Sequence, residues 1–326
     1  IIQELQRPFY ISGHEMNISA SIGISMYPDH GRSSHDLIRL ADTAMYAAKD
    51  RGRRTLALYE PEMTANATHY MTRSLELRRG LDNDELVLHY QPQIDGVSGD
   101  MVGVEALLRW NHPVHGLVGP SEIIPIAEKS GLIIEIGSWV LREACKQARI
   151  WQDEYGEKIQ MAVNVSARQL QLAGFADSIA HELAISGLPA EHLEIEVTES
   201  MIQDEDSMIQ TLHDLREVGV SLAIDDFGTG YSCLRSIKSL PISRIKIDRA
   251  FVNGLPGNSD DVALINAMLA MANALGLKVT AEGVETKKQY EFLREVPGIE
   301  LQGFLFGKPV AANEIFAPTI RKSKPF

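Results

Sequence analysis

The sequence predicts an α/β protein: a TIM-type (β/α)8 barrel with one antiparallel strand, preceded by a fragment of a separate α+β domain. Three observations carry this. From Glu85 onward, eight short apolar runs alternate with amphipathic helical stretches over roughly 225 residues, the pattern of a parallel sheet wound with helices. The first two runs are joined by Asp95-Gly96-Val97-Ser98-Gly99-Asp100, a hairpin-like turn that predicts one antiparallel pair. The first 60 residues lack this rhythm. The expected organisation is a domain remnant over 1–60, a linker and helix over 61–82, the barrel over 83–318 and a tail over 319–326.

In the first part, Asn17 to Met26 alternates apolar and polar residues with period two and reads as a half-buried strand. Pro28 to Gly31 is a turn. A helix follows from about Ser34 to Lys49, with Leu37, Leu40, Ala41, Ala44 and Met45 on one face. Arg51 to Arg54 ends it, and Thr55 to Tyr59 reads as a short strand. One helix and a few strands give a marginal core below about 70 residues, so this is the end of a larger domain. A polar connection, Glu60 to Thr72, leads to a helix around Met71–Leu81.

The eight barrel strands are expected at Leu86–Ile94, Val102–Trp110, Gln160–Val165, Leu193–Thr198, Ser221–Ile224, Ile242–Ile247, Lys278–Ala281 and Leu301–Phe306. The helices between them are Pro120–Lys129 with Ser138–Gln152, then Phe175–Ser186, Ser207–Val218, Asp261–Leu275 and Lys287–Glu295. A doubly wound open sheet is the alternative, and no glycine-rich dinucleotide fingerprint supports it.

Composition narrows the function. The chain has 326 residues and a net charge of −13, which disfavours duplex nucleic acid and anionic membrane as partners. A phosphate substrate held through metal ions stays open. The two cysteines, Cys145 and Cys233, form neither a disulfide framework nor a zinc motif, and a reducing cytoplasm is expected. Neither a signal peptide nor a membrane span is expected within this chain, although a tethered parent could lie upstream.

Polar residues fall where a barrel places its chemistry, at the C-terminal strand ends. In order these are Gln91-Pro92, Glu105 to Arg109, Asn164 to Ser166, Glu194 to Ser200, Asp225 to Gly230, Lys246 to Asp248, Glu282 to Glu285, and Gln302-Gly303. Residues two apart on a strand share a face. Glu105 with Arg109, Glu194 with Glu196, and Lys246 with Asp248 therefore reach the mouth in pairs, the last pair as at least a salt bridge. Adjacent Asp225 and Asp226 can be aimed together only at a strand end, by the turn holding Gly228 and Gly230. Converging carboxylates raise one another's pKa unless cations neutralise them. Oxygen ligands with one amide suit Mg²⁺ or Mn²⁺ and admit Ca²⁺; a bridging carboxylate suggests a two-metal hydrolytic centre. Arg109 and Lys246 then meet substrate phosphate. His112 and His115 read as a plain loop, and the Met268–Met271 stretch as core.

At these residues the chain resembles the EAL-domain family of cyclic di-GMP phosphodiesterases, whose name-giving triplet is Glu105-Ala106-Leu107. Around it stand Tyr90-Gln91-Pro92, Leu108-Arg109-Trp110, Asn164-Val165-Ser166, Glu196 to Ser200, Asp225 to Ser232, Lys246-Ile247-Asp248, Ala281 to Glu285 and Gln302-Gly303, covering about residues 72–315. Residues 18–59 resemble the C-terminal end of a GGDEF (diguanylate cyclase) domain through Ser21 to Ile24, Tyr27-Pro28, Ala41-Asp42, Ala44 to Tyr46, Ala48-Lys49 and Gly52-Arg53. The Gly-Gly-Asp-Glu-Phe signature is absent from this chain, so this chain alone is not expected to make cyclic di-GMP.

The resemblance implies that Glu105, Asn164, Glu196 and Asp225 hold one Mg²⁺ or Mn²⁺. Asp225 then bridges to a second ion, held with Asp226 and, directly or through water, Glu282. Attack of water at phosphorus expels the 3′ oxygen and leaves linear 5′-pGpG. Lys246 stabilises the attacking hydroxide or the transition state, and Glu282 orients or deprotonates the water. Gln91 and Arg109 contact substrate, supported by Asp248 and Gln302. Glu199 steadies the loop that contains Gly228, Thr229 and Gly230, which is linked to dimerisation and metal occupancy. Calcium is expected to inhibit, and a homodimer through the EAL domain is expected. Cys233 stands where serine is common, with little effect. The competing readings are a catalytically silent cyclic di-GMP receptor and an enolase-like barrel lyase.

Overall fold

The computed structural model describes all residues except 6, 12–13, 17, 157–158, 203–205, 231–236 and 317–326. Tyr231, Ser232 and Cys233, and the expected tail, lie outside the described residues. The chain divides into two compact units, Ile1–Arg79 and Gly80–Phe326.

The first unit begins with α1 (Ile2–Leu5) and an antiparallel pair, β1 (Phe9–Ile11) with β2 (His14–Met16). The expected strand over Asn17–Met26 shrinks to β3 (Ile22–Ile24), parallel to β4 (Leu56–Leu58) across α2 (Ser34–Asp50). Ser33 caps α2, its side chain accepting from the Asp36 amide. Gly23 is required here: a Cβ on it would stand 1.9 Å from the Ala41 carbonyl oxygen, so β3 and α2 meet backbone to backbone. The core is small, built on Ala44, Ala48, Ala57 and Met63, and Leu56, Leu58 and Tyr46 stay exposed. The expected polar connection from Glu60 is instead helical. α3 (Pro61–Asp82) starts at Pro61, whose fixed φ and missing N–H suit a first helical turn.

The second unit is a closed ring of eight strands: β5 (Leu86–Asp95), β6 (Met101–His112), β8 (Gln160–Asn164), β9 (Leu193–Thr198), β10 (Ser221–Phe227), β11 (Arg244–Ile247), β12 (Lys278–Ala281) and β13 (Ile299–Gln302). β7 (Gly116–Val118) extends the sheet outside β6. β5 is antiparallel to both β6 and β13, and the other six pairs are parallel. Two antiparallel pairs result, where the hairpin alone predicts one, because ring closure also lays β5 against β13. The eighth strand ends at Gln302, not Phe306. The chain turns at Gly303, where a Cβ would stand 2.2 Å from the Val284 carbonyl oxygen.

The main covering helices are α4 (Pro120–Ser130), α5 (Ile133–Tyr155), α7 (Phe175–Ser186), α8 (Asp206–Val218), α10 (Ser259–Leu275) and α11 (Lys287–Leu293); α6 (Ala167–Leu170) and α9 (Arg249–Val252) are single turns. α5 is longer than the expected Ser138–Gln152 and stops at Gly156, which has a φ of 64°. Cys145 on α5 is a free buried thiol, its pKa pushed up to about 12 by burial and then by Glu182, which leaves it unreactive.

Strand parity separates the two faces. Ile195, Val197, Leu222, Ile224, Ile245 and Ile247 form one buried apolar set. The alternating set on the same strands carries Glu194, Glu196, Arg244 and Lys246, also buried, which meet one another across the barrel axis. A barrel axis is usually filled by branched apolar side chains. Here charge fills it.

Candidate active site

Register brings the site together. Gln91 on β5 lies opposite Glu105 on β6, and Asn164 on β8 opposite Glu196 on β9. Lys246 on β11 points from the far side of the ring into these acids. Its side chain has no exposure, and its Nζ lies 2.7 Å from Glu282, 2.8 Å from Glu196, 3.3 Å from Asp225 and 3.7 Å from Glu105. One ammonium therefore serves four carboxylates carried by four other strands of the ring. Asp248 does not share it. That side chain instead caps α9, accepting from the Ala250 amide at 2.9 Å.

The electrostatics follow from this crowding. Burial pushes the Lys246 ammonium down, but Asp225, Glu105, Glu196 and Glu282 reverse that and hold it well above the lysine range. Burial raises Glu196 well above the carboxylate range; Glu105 and Asp225 add to the rise and Lys246 opposes it. Glu282 is pushed up to about 8, again first by burial, with Lys246 opposing and Asp225 and Glu105 adding. Acids with too few cations keep protons instead.

A hydrogen-bonded chain fixes Glu105. Asn164 Nδ2 donates to its Oε1 at 2.6 Å, and Gln302 Nε2 donates to its Oε2. The same Gln302 nitrogen lies 3.2 Å from Gln91 Oε1, and Gln93 Nε2 donates to Gln302 Oε1 at 3.1 Å. Gln302 is buried like Gln91 and Glu105 and borders the same cleft. Arg109 is half-buried. One of its Nη atoms donates to the Leu108 carbonyl, and burial lowers its pKa while Glu105 opposes.

The turn after β10 solves the problem of two adjacent acids. The register with β11 shifts between Ile224 and Phe227, and Asp226 takes a left-handed φ of 53°. Asp225 stays near Lys246 while Asp226 turns outward. Gly228 also takes a left-handed φ, of 96°. A Cβ at Gly228 would meet Met268 and Phe251 within 2.8 Å. Glu199, also buried, accepts from the Gly228 amide at 2.8 Å. Thr229 is exposed, and its hydroxyl donates to the Asp226 carbonyl. His112 accepts from the Val114 and His115 amides, which makes this segment a turn.

The donor chemistry fits a divalent cation. Glu196 Oε1 is buried with no hydrogen-bond partner among the described residues, Asp225 Oδ1 is buried with the Lys246 ammonium 3.3 Å away, and the set is all oxygen once the Asn164 amide is included. Among the described residues no three acidic, histidine or cysteine side chains stand in an arrangement that could hold a metal ion as they are; Lys246 Nζ stands between the acids. A cleft of about 290 Å³ opens over Gln91, Glu105, Asp225, Glu282 and Gln302. Glu285, noted in the sequence with Glu282, also lines it, as do Arg249, Phe304 and Pro309, which the sequence reading missed. The usable signal was adjacency: Arg249 follows Asp248, and Phe304 follows Gln302-Gly303, but extending the last strand to Phe306 hid the turn. No described helix is long and apolar enough to cross a membrane.

The EAL-domain family model matches residues 74–309, and that of the diguanylate cyclase GGDEF domain matches residues 1–55. The bifunctional diguanylate cyclase/cyclic di-GMP phosphodiesterase MucR of Pseudomonas aeruginosa is 48% identical over 318 residues, 97% of this chain and 46% of MucR. The cyclic di-GMP phosphodiesterase PdeR of Escherichia coli is 39% identical over 316 residues, 96% of this chain and 47% of PdeR. The chain thus spans less than half the length of these relatives. The solved MucR phosphodiesterase in complex with cyclic di-GMP superposes with a TM-score of 0.72 at 48% identity, over 74% of this chain and 99% of that one. The chain belongs to the EAL-domain family of cyclic di-GMP phosphodiesterases, its barrel preceded by the C-terminal fragment of a GGDEF domain.

Proposed function

We propose that this chain hydrolyses cyclic di-GMP to linear 5′-pGpG in a reaction that depends on Mg²⁺ or Mn²⁺. The observation that carries the reading is the convergence of Glu105, Glu196, Asp225 and Glu282 on one ammonium at the barrel mouth. Glu105, Asn164, Glu196 and Asp225 would hold one ion, and Asp225, Asp226 and Glu282 the second. Bound there, the ions supply a water of lowered pKa and neutralise charge on the phosphoryl oxygens.

The side chains do the rest. Glu282 lines the cleft and accepts the proton of the attacking water. Lys246, beside Glu282, stabilises negative charge as it develops. Gln302 and Asn164 keep Glu105 oriented. Gln91 and Arg109 receive the substrate at the cleft edge. Glu199 holds the Asp225–Gly230 turn in place. The complex of MucR with cyclic di-GMP supports the choice of substrate. The homodimer, the cytoplasmic location and the domain boundaries at 60, 82 and 318 belong to the same proposal.

The test incubates the purified chain with cyclic di-GMP, with and without Mg²⁺, and identifies the product by mass spectrometry. Mg²⁺-dependent pGpG is expected. Bound but uncleaved nucleotide in both arms would establish the receptor reading instead.

A further inference from the structure

The barrel axis carries a second charged layer beneath the one at the mouth. Arg244, two residues before Lys246 on the same face of β11, is 3% exposed. Its Nε donates to Glu194 Oε2 at 2.9 Å, and one Nη donates to Thr280 Oγ1 at 2.9 Å. The guanidinium also grips both oxygens of Glu300, at 2.5 and 3.1 Å. Glu194, Thr280 and Glu300 stand two residues before Glu196, Glu282 and Gln302 on their strands. Each member of the lower layer is thus one rung below a member of the upper layer. Glu194 Oε1 is buried with no hydrogen-bond partner among the described residues, so the lower layer is already short of donors.

Removing one partner of a buried ion network leaves an uncompensated charge, which is strongly unfavourable. Without Arg244, Glu194 and Glu300 would face the axis as bare anions one rung below Lys246. A lysine ammonium is a mobile point charge on a four-carbon stem, unlike a rigid guanidinium fork. The geometry points to Arg244 as a positioning residue: by neutralising Glu194 and Glu300, it keeps Lys246 turned up toward Glu105, Glu196, Asp225 and Glu282. This inference rests on the phosphodiesterase reading of the mouth.

The test uses the full chain carrying Arg244→Met, and the triple variant Arg244→Met/Glu194→Leu/Glu300→Met, which removes the whole lower layer. Replacing a buried ion cluster by apolar side chains is often neutral for stability, so the triple variant is expected to fold. In Arg244→Met, kcat is expected to fall about 100-fold, the scale of losing one transition-state donor. KM stays unchanged, Mn²⁺ affinity is equal or tighter, and a crystal structure shows Lys246 Nζ paired with Glu194. In the triple variant Lys246 has nothing below to attract it, and kcat recovers to within about threefold of the parent. Weakened Mn²⁺ binding in parallel with kcat in Arg244→Met would mean general loosening of the barrel and would overturn the proposal, as would an unchanged kcat. A triple variant as impaired as Arg244→Met would overturn it too. If Arg244→Met does not fold, the triple variant alone decides by the same criterion. Absence of hydrolysis by the parent chain would refute the phosphodiesterase reading, and the position of Lys246 in the variant would still decide the role of Arg244.

Discussion

Glu199 and the backbone of Gly228 are joined by a 2.8 Å hydrogen bond that ties the end of β9 to the turn carrying Asp225 and Asp226. The acceptor is buried, and Gly228 is pressed against Phe251 and Met268 on its other side. The turn is therefore held from both directions, and Glu199 acts on the acids without reaching substrate.

Glu199→Ala leaves the Gly228 amide without this acceptor. kcat is expected to fall about tenfold or more, because an unsatisfied buried donor costs about 1–3 kcal/mol. Glu199→Gln retains an acceptor oxygen and keeps most of the activity. Steady-state kinetics on the two variants checks this; equal loss in both would mean that charge, not the hydrogen bond, holds the turn.

Glu105→Ala is expected to abolish turnover chiefly by losing a metal ion. Gln302→Ala removes a hydrogen bond to the same carboxylate, and supporting residues of this type cost about 10–100-fold in metal affinity. Mn²⁺ titration followed by electron paramagnetic resonance measures both. Full Mn²⁺ affinity and an unchanged rate in Glu105→Ala would refute the ligand assignment.

Stability should depend on pH and metal together. Glu282 has its pKa raised to about 8 from an ordinary 4.5, so the folded, metal-free chain favours the protonated carboxyl. A raised folded pKa contributes stability that is complete below the unfolded value and is lost as pH rises through the folded one. Cation binding needs the ionised form. Mg²⁺ is therefore expected to raise Tm more at about pH 8.5 than at about pH 6.5. Thermal melts at the two pH values read this directly, and a larger Mg²⁺ effect at the lower pH would contradict it.

Calcium added to the Mg²⁺-supported reaction is expected to inhibit. It takes the same oxygens with longer, looser coordination and does not hold the reacting groups as tightly. An initial-rate series at fixed Mg²⁺ checks this; stimulation by Ca²⁺ would count against a two-metal centre.

The strand ends were legible because each barrel strand is a short apolar run stopping at polar residues. That pattern located Glu105, Asn164, Glu196, Asp225, Lys246, Glu282 and Gln302 before any coordinates. The role of Lys246 was less legible. By sequence it is one cation beside Asp248, and its pairing with four acids depends on strands distant in the chain closing into a ring. The hydrogen bond from Gln302 to Glu105 likewise depends on β13 meeting β5 across the closed ring. The outward turn of Asp226 rests on a register shift that no residue pattern announces. Arg244 gave no signal at all, since Ile242 to Ile247 reads as an ordinary strand with one arginine.

The central claim is that the acids around Lys246 gather divalent cations at the mouth of the barrel. Anomalous diffraction at the manganese edge, from crystals of the chain grown with Mn²⁺ and cyclic di-GMP, tests it most directly. Two peaks are expected, one among Glu105, Asn164, Glu196 and Asp225 and one beside Asp226 and Glu282. Nucleotide in the cleft with no anomalous peak near these residues, and Lys246 still occupying their midst, would contradict the account.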